Sequence, residues 1–117
     1  RVKMLGIRKD VCDFYVASDI FILPSHYEPF GNAVLEAMSY GNVVITTKQT
    51  GASELLNNDF IMETPKDYSI VKKLDHFLTN PGLMIEEKQR NIKISKQYTI
   101  DRNQIETLEA IESTIND

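Results

Sequence analysis

The apolar positions of this chain follow two rhythms. In the first half, short apolar runs alternate with helical stretches. Val2, Met4 and Leu5 predict a strand over residues 2–6 that ends at a glycine turn, and Asp10 is placed to cap a helix over 11–17. Ile20, Phe21, Ile22 and Leu23 lie between Asp19 and Pro24. Such an unbroken run reads as a strand buried on both faces of a parallel sheet. A helix from Phe30 or Gly31 closes at Gly41, which suits a glycine C-cap, and a third strand follows over 42–46. A short helix over 52–56 and a short strand over 60–62 complete this half. Beyond Pro65 the period is helical throughout. Ile70, Val71, Leu74, Phe77 and Leu78 form one stripe from a cap at Asp67. Asn80, Pro81 and Gly82 break that helix, and a second helix is predicted over 83–97. A third starts after Ile100, with Asp101 as cap and Ile105, Leu108, Ile111 and Ile115 along one face.

Strands alternating with helices predict an α/β fold, the second half of a Rossmann-like doubly wound parallel sheet followed by C-terminal helices. The expected organisation is one partial domain, with an α/β core over 1–62 and a helical tail over 67–117. The chain has 117 residues, opens on a predicted strand and does not begin with methionine. It is expected to be a piece of a longer protein.

Composition narrows the function without naming it. The net charge of -4 argues against nucleic acid as a partner and against wholesale adsorption to an anionic membrane. No apolar run approaches the roughly 20 residues of a membrane span. Cys12 is the only cysteine, which rules out an internal disulfide and fits a reducing compartment, so a cytoplasmic location is expected.

In open α/β sheets, ligands bind beyond the carboxyl ends of the strands. The loops there are 6–10, 24–30 and 47–51. Gly31 starts a helix, where free backbone amides and the helix dipole attract an anion and where glycine lets a ligand approach closely. Asn32, Ala33 and Val34 carry no cation, so a phosphate would rely on main-chain donors. Glu36 lies roughly 7–8 Å further along the axis at 1.5 Å per residue. Its neighbours Ala33, Val34, Leu35, Ala37 and Met38 make that stretch look apolar on nearly every side, and a carboxylate there needs a partner. A sugar diol is one such partner. A structural ion pair with Lys3 or Lys48 is another. Glu28, in the preceding loop, would be the second point of the same wall. His26 is read as orienting the loop and Cys12 as a packing residue. No Asp-x-Asp pair is present, and no metal site is expected.

The order of residues adds a resemblance. Pro24-Ser25, Glu28-Pro29-Phe30-Gly31, Leu35-Glu36-Ala37-Met38, Gly41 and Val44-Ile45-Thr46 together resemble the donor-site signature of the GT-B retaining glycosyltransferases of family four, the group 1 glycosyltransferases. Glu28 and Glu36 have the spacing of that family's glutamate-x7-glutamate motif. The likeness extends over residues 2–56, and Thr47 to Glu54 resembles enzymes of lipopolysaccharide core or capsule assembly. It implies transfer of a sugar from a nucleotide-diphosphate sugar, with retention and without a metal or other cofactor. UDP-hexose is the expected donor ahead of GDP-hexose. It further implies that Glu36 holds the ribose hydroxyls and that Glu28, the catalytic candidate, lies close to the donor sugar. The backbone of Phe30, Gly31 and Asn32 would contact sugar hydroxyls, the amides of Ala33 and Val34 would face the diphosphate, and Ile7 and Arg8 would lie under the base.

Two departures stand out. Asn42 occupies the place where the family usually has proline, and Thr50 stands before Gly51 where it often has a second glycine. The arginine and lysine that neutralise the diphosphate in the family, and its N-terminal acceptor domain, match nothing in this chain. The acceptor domain is an expected partner, the fragment alone is expected to be inactive, and the parent enzyme is expected at or near the inner face of the membrane. Two rivals remain: a nucleotide-sugar 2-epimerase of the same fold, and a non-enzymatic module that self-associates through an exposed sheet edge.

Overall fold

A computed structural model describes residues 1–98 and 100–116, with only the helical course of 100–106. The elements are α1 (Val11–Ala17), β1 (Ile20–Leu23), α2 (Asn32–Ser39), β2 (Val43–Thr47), β3 (Ile61–Met62), α3 (Ile70–Thr79), α4 (Pro81–Ser95) and α5 (Ile100–Asn116). Two 3₁₀ turns, Gly51–Leu55 and Asn58–Phe60, lie between β2 and β3. The three strands form one parallel sheet in the order β1-β2-β3, with Ile20 opposite Val43 and Thr46 opposite Ile61. The predicted second half of a doubly wound sheet, followed by helices, is the observed architecture.

The sheet is built around β2. All five of its residues are enclosed, and Val43, Val44 and Ile45 have no exposed surface. Burying each such side chain contributes about 1.5–3 kcal/mol. The buried face of α2, formed by Val34, Ala37 and Met38, packs on β2, and α4 closes over both. Phe60 and Met62 belong to the same core, and the ring of Phe77 from α3 stacks on Phe60 at 4.7 Å. Pro81 opens α4 within its first turn, where its missing N–H costs nothing. No described helix is long and apolar enough to cross a membrane.

Four expectations are corrected. Residues 2–6 form no strand: Val2 and Met4 are 87% and 93% exposed, and a strand needs a partner for its backbone groups that the described residues do not supply. β1 is not buried on both faces. It lies at the sheet edge with Ile22 exposed, and the doubly buried strand is β2. Asp10 precedes α1 but makes no side-chain cap, because both its carboxylate oxygens are taken by Arg8 at 2.8 and 2.7 Å. Asp101 lies inside α5 rather than before it, and its side chain falls outside the described residues. Asp67 binds the amide and hydroxyl of Ser69, the residue that precedes α3.

Candidate functional site

The carboxyl ends of β1 and β2 each release a loop, and the two loops are bound into one surface. Glu28 and Thr50 form a parallel bridge. The amide of Glu28 donates to Gln49 O, Gly51 N donates to Glu28 O at 3.0 Å, and Ala52 N donates to Phe30 O at 2.7 Å. The threonines that end β2 complete the attachment. Thr46 Oγ1 donates to Leu23 O at 2.8 Å and is hydrogen-bonded to the Thr50 hydroxyl at 2.9 Å, and Thr47 Oγ1 donates to Ser25 O at 2.6 Å. Each buried hydroxyl thereby finds a partner, and the 24–31 loop gains a fixed path.

That path delivers the chain to the start of α2. Gly31 adopts φ 88°, ψ 63°, a left-handed conformation that favours glycine. The N–H of Val34 turns back to Gly31 O at 2.9 Å, whereas those of Gly31, Asn32 and Ala33 bind no described residue. Of the two amides expected to face a diphosphate, Ala33's is available and Val34's is engaged within the helix start. The cluster of unpartnered donors at the positive end of α2 is suited to an anion. Glu28 is half-buried beside it, its Cγ 3.5 Å from where a Cβ on Gly31 would stand. A hollow of about 250 Å³ lies next to this point, lined by Glu28, Pro29, Lys48, Thr50, Gly51 and Glu54 among others.

Glu36 is not buried in apolar surroundings. On α2 the enclosed positions are 34, 37 and 38, and position 36 falls on the opposite, exposed face. Neither Lys3 nor Lys48 pairs with it: the ammonium of Lys48 is held by Glu63 at 2.5 Å. Its described partner is Tyr15, whose hydroxyl donates to Glu36 Oε2 at 3.3 Å. Burial pushes the Tyr15 phenol above its ordinary pKa, and the charge of Glu36 adds to this. Glu36 Oε1 has no described partner.

The other predicted residues are distributed around this centre. Phe30 and Asn32 are exposed and also line a groove of about 690 Å³ with Ala110, Ile111 and Ile115 of α5. Ile7 is fully exposed. Arg8 is tied to Asp10 and lies over the ring of Phe14 at 5.5 Å, on the side of α1. Besides Lys48 and Arg8, Lys88 and Arg90 are paired, with Asp19 and Glu87. Among the described residues, no three His, Cys, Asp or Glu side chains cluster so as to hold a metal ion. Sequence reasoning did not single out Tyr15 or the threonine hydroxyls. The available signal was two threonines ending an otherwise aliphatic strand, with a third, Thr50, in the loop that follows.

The family model for glycosyl transferases group 1 matches residues 1–98. This chain belongs to the group 1 glycosyltransferases. Among curated members it is similar to an Escherichia coli UDP-Gal:alpha-D-GlcNAc-diphosphoundecaprenol alpha-1,3-galactosyltransferase, with 40% identity over 103 residues, 86% of this chain and 27% of that enzyme. An uncharacterised glycosyltransferase of Haemophilus influenzae is 30% identical over 105 residues, 86% of this chain and 30% of that protein. The chain thus spans about a third or less of the length of these relatives. Among solved structures, HepE from Anabaena in complex with UDP superimposes with a TM-score of 0.83 at 27% identity, covering 94% of this chain and 32% of HepE. The C-terminal domain of the group 1 protein LpcC from Francisella tularensis gives a TM-score of 0.72 at 27% identity, covering 85% of this chain and 53% of that domain. The chain therefore has the architecture of part of a GT-B C-terminal domain.

Proposed function

We propose that this chain supplies the donor-binding part of a retaining, metal-independent glycosyltransferase that takes a sugar from a UDP-linked hexose, for cell-surface polysaccharide or lipopolysaccharide synthesis on the cytoplasmic side of the membrane. The observation that carries this reading is the start of α2, where three unpartnered amides stand between Glu28 and Glu36. The diphosphate would sit on the amides of Gly31, Asn32 and Ala33. Glu36 would take the ribose hydroxyls, and Glu28 with the backbone of residues 30–32 would take the sugar. Complexes of HepE with UDP and with UDP-glucose support the choice of donor class.

Departure of the diphosphate would open the anomeric centre, and stabilising that leaving group is usually a large part of such catalysis. Lys48, which lines the hollow beside Glu28, is already held by Glu63. We therefore assign the neutralising charge to the part of the enzyme outside this chain and propose that the chain alone transfers no sugar. Saturation-transfer NMR with UDP, UDP-glucose, GDP and GDP-mannose tests the reading. Signal on ribose protons, stronger for the uridine ligands and lost in Glu36→Ala, is expected. Equal signal in Glu36→Ala, or sugar transfer by the isolated chain, would contradict it.

A further inference from the structure

Glu36 is an exposed helical glutamate, and such a side chain samples several rotamers unless something holds it. Tyr15 is placed to hold it. Tyr15 is the one enclosed residue of α1, 6% exposed, and its ring is fixed from two sides. Tyr40 stacks on it at 5.6 Å, and the ring of Phe21 meets it edge-on at 5.7 Å. Its backbone is fixed as well. The side-chain amide of Asn42 donates to Tyr15 O at 2.9 Å and to Ala37 O at 3.2 Å. Ala37 adjoins Glu36, so one buried amide clamps the backbone that carries the phenol to the backbone that carries the carboxylate. Asn91 of α4 secures that clamp, donating to Asn42 O at 2.8 Å.

We infer that Tyr15 is a positioning residue for the donor site: its hydroxyl holds Glu36 Oε2 and leaves Oε1 directed at the ribose hydroxyls of the nucleotide. This rests on the reading of Glu36 given above. The physical basis is preorganisation. A carboxylate held before the ligand arrives loses less freedom when it accepts the diol. The hydroxyl is also the polar tip of a buried aromatic, which ordinarily finds some partner. The two roles differ in what removing the oxygen does.

The test is a binding cycle by ligand-detected NMR on the full chain, using UDP and 2′,3′-dideoxy-UDP. Tyr15→Phe keeps the ring stacks and removes only the hydroxyl. The unmodified chain is expected to favour UDP. Tyr15→Phe is expected to weaken UDP by about fivefold, the scale of one ordinary hydrogen bond, and to leave the dideoxy ligand unchanged. In a Glu36→Ala background the same substitution is expected to change neither ligand. A melting curve confirms that each variant folds. If Tyr15→Phe binds UDP as the unmodified chain does, or weakens both ligands alike, the positioning role is overturned while the reading of Glu36 stands. If the unmodified chain shows no preference for the ribose hydroxyls, the reading of Glu36 falls and this inference falls with it.

Discussion

Gly51 and Pro29 lie so close that a Cβ on Gly51 would stand 2.1 Å from the carbonyl oxygen of Pro29. Backbone meets backbone here, and no side chain can swing aside. Gly51→Ala is therefore expected to push apart the two loops that carry the site, at a cost of about 3 kcal/mol, the upper range for overpacking. A urea titration checks the stability. A lower midpoint accompanied by large amide shifts at residues 28–31 is the expected result.

Gly31 is constrained twice over. Its φ of 88° disfavours any L side chain, and an added Cβ would meet Thr50 Cγ2 at 2.8 Å. Gly31→Ala should lose about 1–2 kcal/mol from backbone conformation, with a further loss from the clash. Thr50→Ser removes Cγ2 and keeps the hydroxyl that binds Thr46. In that background Gly31→Ala should cost only the backbone part. Equal losses in both backgrounds would show that the threonine methyl is not the obstacle.

Asn42 stands where the family usually has proline, and its side chain is wholly buried with two carbonyls as acceptors. Its backbone N–H also donates to Ala37 O at 3.1 Å. Asn42→Pro would remove all three bonds and leave the Tyr15 carbonyl without this donor. The expected loss is about 2–3 kcal/mol, since each net hydrogen bond contributes about 1 kcal/mol. Differential scanning calorimetry gives the value. A gain in stability would show that the helix-closing turn tolerates proline here as elsewhere in the family.

Burial on α4 raises the pKa of Glu87, and the nearby Arg90 opposes the shift without cancelling it. The folded chain therefore binds a proton at Glu87 more readily than the unfolded chain. This contribution to stability is full below the ordinary glutamate pKa and is lost as pH rises through the raised value. Asp67 acts with the opposite sign. The Ser69 hydroxyl holds its carboxyl below the usual range, so its contribution is lost as pH falls through that lower value. Glu87→Gln is expected to flatten the decline just above the usual carboxylate range and leave the acid limb unchanged. Melting temperature measured against pH in both proteins checks this.

Much of the arrangement was legible in the sequence because local rules agree with the packing. The run Val43, Val44, Ile45 announces a buried strand, and Gly31 and Gly41 bracket α2 with left-handed turns that the chain could reveal only as glycines. The errors have two kinds of cause, a neighbour distant in sequence or a local competition that composition hides. Ile20 to Leu23 reads like β2, but its burial depends on what lies beside the sheet edge. Asp10 resembles a cap, but Arg8 competes for its carboxylate. Glu36 looked enclosed because its sequence neighbours are apolar, although the helical period turns it away from 34, 37 and 38. Tyr15 lies 21 residues from the glutamate it binds, and spacing alone offers no hint of that hydrogen bond.

The central claim is that a nucleotide sugar binds at the start of α2 through the free amides between Glu28 and Glu36. The most direct measurement is an ¹⁵N–¹H shift map of the full chain titrated with UDP-glucose. The account predicts saturable shifts concentrated at Gly31, Asn32 and Ala33, extending to Glu36 and Gly51. Shifts centred elsewhere, or no saturable shift at these amides, would contradict it.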